Sequence, residues 1–142
     1  MPMRRSILLA VSAFCFLVSS ARADVGSADA AQIHAVIQRQ LDAFQADDGA
    51  AAFALASPSI QAQFGDADNF MALVRHAYPM VYRPRETHFG VVDEEDGQIV
   101  QKVAFVGPDG ALVTALYIME HEADGTWRIA GCIIARVPTE SA

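Results

Sequence analysis

Cysteine is nearly missing from this chain of 142 residues: there are two, Cys15 and Cys132. Cys15 lies inside the apolar run Ile7 to Val18, and that run has the marks of an export signal. Met1-Pro2-Met3-Arg4-Arg5 is a short basic start, and Ser19-Ser20-Ala21-Arg22-Ala23 ends the segment with alanine at the −3 and −1 positions. Cleavage after Ala23 is expected, so residues 1–23 are a signal peptide and residues 24–142 form one domain with Cys132 as its lone cysteine. An intramolecular disulfide is thereby excluded, and the fold must rest on its core. Long hydrophobic runs are equally scarce. The 12-residue run is shorter than the roughly 17 to 25 residues of a spanning helix, and nothing later in the chain approaches it. Phe14 is too bulky to precede a lipid-modified cysteine, so no membrane insertion is expected once the signal is gone. The expected location is the periplasm or the secreted space.

Basic residues are also in short supply. Residues 24–142 carry seven arginines and lysines against seventeen aspartates and glutamates, a net charge of −10. Such a chain repels phosphate backbones and anionic lipid, which excludes nucleic acid as a partner class. Four histidines are present, His34, His76, His88 and His121, but no His-x-His or His-Glu-x-x-His spacing puts two ligands on one face. No Cys-x-x-Cys, Gly-x-Ser-x-Gly elbow or glycine-rich phosphate loop occurs either. Neither a metal nor a cofactor is expected, and Cys132, flanked by Gly131 and Ile133, reads as a buried inert thiol.

What the chain does have is two kinds of apolar period. Ile33, Val36, Ile37, Leu41 and Phe44 recur every three or four residues, the stripe of one long helix capped by Ser27 or Asp29. Asp47-Asp48-Gly49 breaks it. Ala50 to Ala56 makes a short helix ended by Ser57-Pro58, with a further turn bearing Ile60 and Phe64. Asp66 or Asp68 caps another helix carrying Phe70, Leu73, Val74 and Tyr78, and Pro79 ends it. From Arg85 onward the period becomes two. Strands are expected at 87–92, 98–106, 111–121 and 126–137, joined by Gly-containing turns into an antiparallel meander. Both faces of the third strand are apolar: Val113, Ala115, Tyr117 and Met119 against Leu112, Thr114, Leu116 and Ile118. Strict alternation would set Trp127, Ile129, Gly131, Ile133 and Ala135 of the fourth strand opposite to Arg128, Ala130, Cys132 and Ile134. One face must meet the helices; the other needs cover, which points to a homodimer through the sheet.

Several local strings resemble a known family. They include Gln40-Leu41-Asp42-Ala43-Phe44-Gln45, Ala56-Ser57-Pro58-Ser59-Ile60-Gln61, Tyr78-Pro79, Arg83-Pro84 and the closing Asp124-Gly125-Thr126-Trp127-Arg128-Ile129-Ala130-Gly131-Cys132. From about Ala31 to Ala135 the chain resembles the uncharacterised bacterial family called domain of unknown function 4864. That family looks like a branch of the cone-shaped superfamily of nuclear transport factor 2 (SnoaL-like, cystatin-like). The resemblance implies an α+β fold with N-terminal helices packed on a curved antiparallel sheet of at least four strands. It implies no activity, because that superfamily includes isomerases, dehydratases, polyketide cyclases and non-catalytic domains, and no string here matches an isomerase motif.

Candidate binding residues gather where the helices hand over to the sheet. Tyr82, Arg83 and Arg85 combine an aromatic hydroxyl with guanidinium groups able to hold a carboxylate. His88, Tyr117 and Trp127 on the strands complete the set. The function these features favour is non-catalytic binding of a small apolar or weakly anionic molecule, or of a protein partner. Two alternatives stand beside it: an acid–base enzyme in which Tyr82, His88 or Tyr117 moves protons in a cone cavity, and a structural dimer whose core is filled by its own side chains.

Overall fold

The computed structural model describes residues 25–136; the expected signal peptide and cleavage point lie outside them. Five helices come first: α1 (Ser27–Gln45), α2 (Gly49–Ala54), α3 (Pro58–Phe64), α4 (Ala67–Ala77) and α5 (Pro79–Tyr82). Four strands follow: β1 (Glu86–Glu95), β2 (Gln98–Val106), β3 (Leu112–His121) and β4 (Trp127–Arg136). Among the described residues no helix is long and apolar enough to cross a membrane.

Local chemistry accounts for most boundaries. The carboxylates of Asp48 and Asp66 and the hydroxyl of Ser57 accept from Ala51, Asn69 and Ile60 N–H, capping α2, α4 and α3. α1 departs from the expected cap, since Gly26 occupies that position and no side chain bonds the first turn. Pro79 departs too. It ends α4 but also opens α5 at the first helical position, where its missing N–H costs nothing.

The sheet is a meander in chain order β1-β2-β3-β4, with every neighbouring pair antiparallel. The expected curved, cone-shaped sheet is therefore corrected to an open four-stranded sheet. The first and last strands do not pair, and four strands are too few to close on themselves; the free edge of β4 is met by the α2–α3 link instead of by β1. The helices lie against one face. On that inner face, Ile33, Ile37, Leu41 and Phe44 of α1 form the core with Val103 and Phe105 of β2 and Val113, Ala115 and Tyr117 of β3. The outer edge of β4 is partly covered. Ser57 N–H donates to the Ile129 carbonyl (2.8 Å) and Ile129 N–H to the Leu55 carbonyl (2.9 Å), a one-bridge parallel extension from the α2–α3 link.

Two bulges set which side chains face inward. In β1, Phe89 pairs with Val103 and Val92 with Gln101, leaving Gly90 and Val91 opposite Lys102 alone. A Cβ on Gly90 would meet the Lys102 carbonyl at 3.3 Å, which explains the glycine. The buried Gln101 amide donates to the freed Gly90 carbonyl at 2.9 Å. In β4, Met119 pairs with Ile129 and Ile118 with Gly131, so Ala130 is the extra residue. Strict alternation fails at that point. Trp127 and Ile129 face inward as expected, but beyond the bulge the inward residues are Cys132 and Ile134, while Ile133 is 54 % exposed on the outer face.

Candidate functional site

A cavity of about 280 Å³ lies between the helices and the inner face of β3 and β4. Its walls are Phe44 of α1, Ile60 and Phe64 of α3, Phe70 and Val74 of α4, and Ile129 of β4. The helical side of the lining follows from amphipathic spacing. Phe70 and Val74 are one turn apart on α4, and Phe44 ends the α1 stripe. The aromatic rings cluster, with Phe70 centred 5.5 Å from both Phe53 and Phe64 and 6.1 Å from Phe44. Leu73, 40 % exposed, stands at the solvent side.

Few polar groups reach this cavity: Gln40, Gln63, Tyr78, Tyr117 and Cys132. None is a carboxylate, an imidazole or a cation. Gln40 sits within the apolar stripe of α1, and its Nε2 donates to the Ala52 carbonyl at 3.1 Å, which anchors the side chain. Tyr117 is fully buried, and its hydroxyl has no hydrogen-bond partner in the protein. A buried donor left unpaired costs about 1–3 kcal/mol, and the Trp127 Nε1–H at the start of β4 shares that condition.

Tyr117 and Cys132 face each other across β3 and β4. Burial pushes the Tyr117 phenol well above its ordinary range, and the adjacent Cys132 pushes it the same way. Burial also pushes the Cys132 thiol up to about 12, although Tyr117 acts to lower it. The phenol and the thiol lie near enough for a weak O–H/S–H contact to shift each other's proton, but that contact falls short of hydrogen-bond geometry and leaves the hydroxyl without a full partner. Both remain protonated at neutral pH, so the cavity floor offers a phenolic donor and an unreactive thiol.

A second hollow, of about 490 Å³, lies between α1 and the start of β4 and holds Arg39, Trp127 and Arg128. Its greater volume does not make it the better candidate, because most of its lining, including Gln32, Arg39, Ala54 and Thr126, is exposed surface. Arg128 is already committed to the Ala54 carbonyl at the end of α2. Among the described residues no three metal-ligating side chains come together.

The sequence profile of the family described as domain of unknown function 4864 matches residues 26–142. The chain belongs to that family. It is also similar to the crystal structure of an NTF-2 like protein of unknown function from Burkholderia xenovorans LB400. The two share 16 % identity over 80 % of this chain and 89 % of the other, with a TM-score of 0.48. Comparison with curated proteins gives no match.

In this family member the six candidates from the sequence do not converge. Tyr117 lines the cavity and Trp127 the second hollow. Tyr82 packs 6.0 Å from Phe44, between the guanidinium groups of Arg75 and Arg83 at 5.6 and 4.9 Å from its ring. Arg83 is a latch: it donates to the Gln45 carbonyl and pairs with Asp47 at 3.2 Å, holding α5 to the end of α1. The backbone N–H of Arg85 donates to the Val106 carbonyl, joining the chain to β2. His88 faces outward on β1, 3.4 Å from Glu86. Sequence reasoning missed Gln40 and the position of Cys132. Gln40 was detectable, since the spacing Ile33, Ile37, Gln40, Phe44 puts it in the buried stripe. Cys132 was not, because small apolar residues on both sides of Ala130 carry no sign of a bulge.

Proposed function

We propose that the protein is an exported, non-catalytic binding domain whose cavity between the helices and β3–β4 takes up a small, largely apolar molecule. Export rests on the basic start, short apolar run and Ala21-Arg22-Ala23. The observation that carries the binding reading is the partnerless, fully buried Tyr117 hydroxyl on an otherwise apolar cavity. Apolar walls with a few fixed polar groups are the common form of a small-molecule site. An acid–base enzyme would need a group near the cavity that changes protonation near neutral pH. The ionisable groups in the lining are Tyr78, Tyr117 and Cys132, and the latter two hold their protons far above that range.

Native mass spectrometry of the protein purified without refolding tests this reading. An adduct is expected that Ala56→Phe, which fills the cavity, removes. A protein that takes up no apolar probe at saturating concentration would overturn it.

A second reading concerns the outer face. Leu112 and Ile133 are 53 and 54 % exposed there, beside half-buried Leu116 and Ile118, and Glu86, Asp93 and Glu95 form an acidic row along β1. We propose that a second copy covers this face with the two-fold axis running along the strands. The alternative axis would stack one acidic row on the other. With that axis lying over β3–β4, the apolar halves of the two copies meet and the acidic β1 rows lie on opposite sides of the interface. Sedimentation of the protein as a monomer at micromolar concentration would sink this proposal, and Ile133→Glu is expected to produce that monomer.

A further inference from the structure

Resting on the cavity reading above, we infer that the ligand is a neutral molecule with one hydrogen-bond acceptor, such as a ketone, ester or amide carbonyl on an apolar body, and that carboxylates are rejected. Three features of the lining lead there. The first is the Tyr117 hydroxyl, buried and unpaired on the β3 side of the cavity. Its cross-strand neighbour Cys132 offers only a sulfur, a weak acceptor. The hydroxyl has almost no exposed surface, so a ligand oxygen reaches it only by displacing the side chains that close over it; once there it restores the bond the phenol lacks, whereas a hydrocarbon leaves the donor unpaired.

The second feature is the absence of positive charge from the lining. The guanidinium groups close to the lining in the chain lie elsewhere: Arg75 and Arg83 against Tyr82, Arg83 also against Asp47, Arg128 on the Ala54 carbonyl and Arg39 at the second hollow. A carboxylate entering an apolar cavity without a cation must shed its hydration or take up a proton. The weakly anionic ligand expected from the Arg-Tyr cluster is thereby disfavoured at this site. The third feature is size: about 280 Å³ lies just below the roughly 300–1,000 Å³ of small-molecule pockets, which suits a short-chain or single-ring compound. Gln40, anchored on Ala52, adds a second polar point on the α1 side.

The test compares three probes of one shape, 2-octanone, n-octane and octanoate at pH 8, titrated into the full protein and followed by amide chemical shifts. The ketone is expected to bind about tenfold more tightly than the alkane and at least as far ahead of octanoate, shifting the amides of Tyr117, Ile129 and Cys132. Tyr117→Phe removes a hydroxyl that bonds nothing in the protein, so the variant folds, and it should erase the ketone's advantage over octane while leaving octane binding in place. Equal binding of ketone and alkane, an advantage that survives Tyr117→Phe, or tighter binding of octanoate overturns the neutral-acceptor inference and leaves the cavity reading standing. No cavity amide responding to any probe overturns both.

Discussion

The two faces of β3 have almost the same composition and opposite fates. On β3, Val113, Ala115, Tyr117 and Met119 are buried under the helices, while Leu112, Leu116 and Ile118 alternate with them and face away. An apolar side chain does not choose its face by being apolar. The difference comes from what is laid on top: the α1 stripe and the aromatic cluster of α3 and α4 take one side, and among the described residues nothing takes the other. The same comparison separates the two functional readings, since the inner face encloses a cavity with an unpaired buried hydroxyl and the outer face is open, apolar on β3 and β4 and acidic on β1.

Truncation is the strongest way to break the comparison. Phe105→Ala, at a fully buried inner position, should cost about 3–5 kcal/mol by chemical denaturation. Leu112→Ala, 53 % exposed, should cost the folded monomer under about 1 kcal/mol. Similar losses at the two positions would mean that the outer face is as well packed as the inner.

Alkaline titration is next in size. Unfolded, the Cys132 thiol ionises near 9.0 and the Tyr117 phenol near 10.0; folded, the thiol holds its proton to about 12 and the phenol is also raised. The unfolded state therefore releases protons first. Stability is expected to be complete below about pH 9 and to fall as pH rises toward 12, by at most about 1.4 kcal/mol per pH unit for each group. Urea midpoints across that window should flatten in the double variant Tyr117→Phe, Cys132→Ala. A slope unchanged by those substitutions would place the alkaline loss elsewhere.

Gln101→Leu sharpens the contrast at β1. It removes the donor to the bulge carbonyls of Gly90 and Val91, buried behind the inner face, and should cost about 1–3 kcal/mol. Loss of amide hydrogen-exchange protection should be confined to β1 and β2. The smallest effect belongs to Arg83→Ala. Its pair with Asp47 is about half exposed on both sides and is worth roughly 0–1 kcal/mol, and ligand uptake should not change. Loss of uptake in that variant would return the Arg-Tyr cluster to the functional site.

Element order apart from α5, the meander, the Gly-containing turns and the caps at Ser57 and Asp66 were legible in the sequence. Each is a local matter, written in a period, a helix-breaking proline or a side chain three residues from the N–H it caps. The candidate site was only partly legible. Tyr117 could be assigned to a strand face, and Gln40 stood in the α1 stripe, but Tyr82, Arg83, Arg85 and His88 turned out to hold the helix–sheet junction or face solvent. An arginine's partner, whether Asp47 or a ligand, is chosen by residues far away in the chain.

The sequence by itself determined which segments are helix and strand and that the strands pair in order, because backbone period and turn geometry act over a few residues. Only the tertiary structure decided that the sheet stays open, which face the helices cover, and that the bulge at Ala130 turns Cys132 inward beside Tyr117. Those outcomes depend on side-chain volumes meeting across elements distant in the chain, and a one-residue shift in pairing reverses every side chain beyond it.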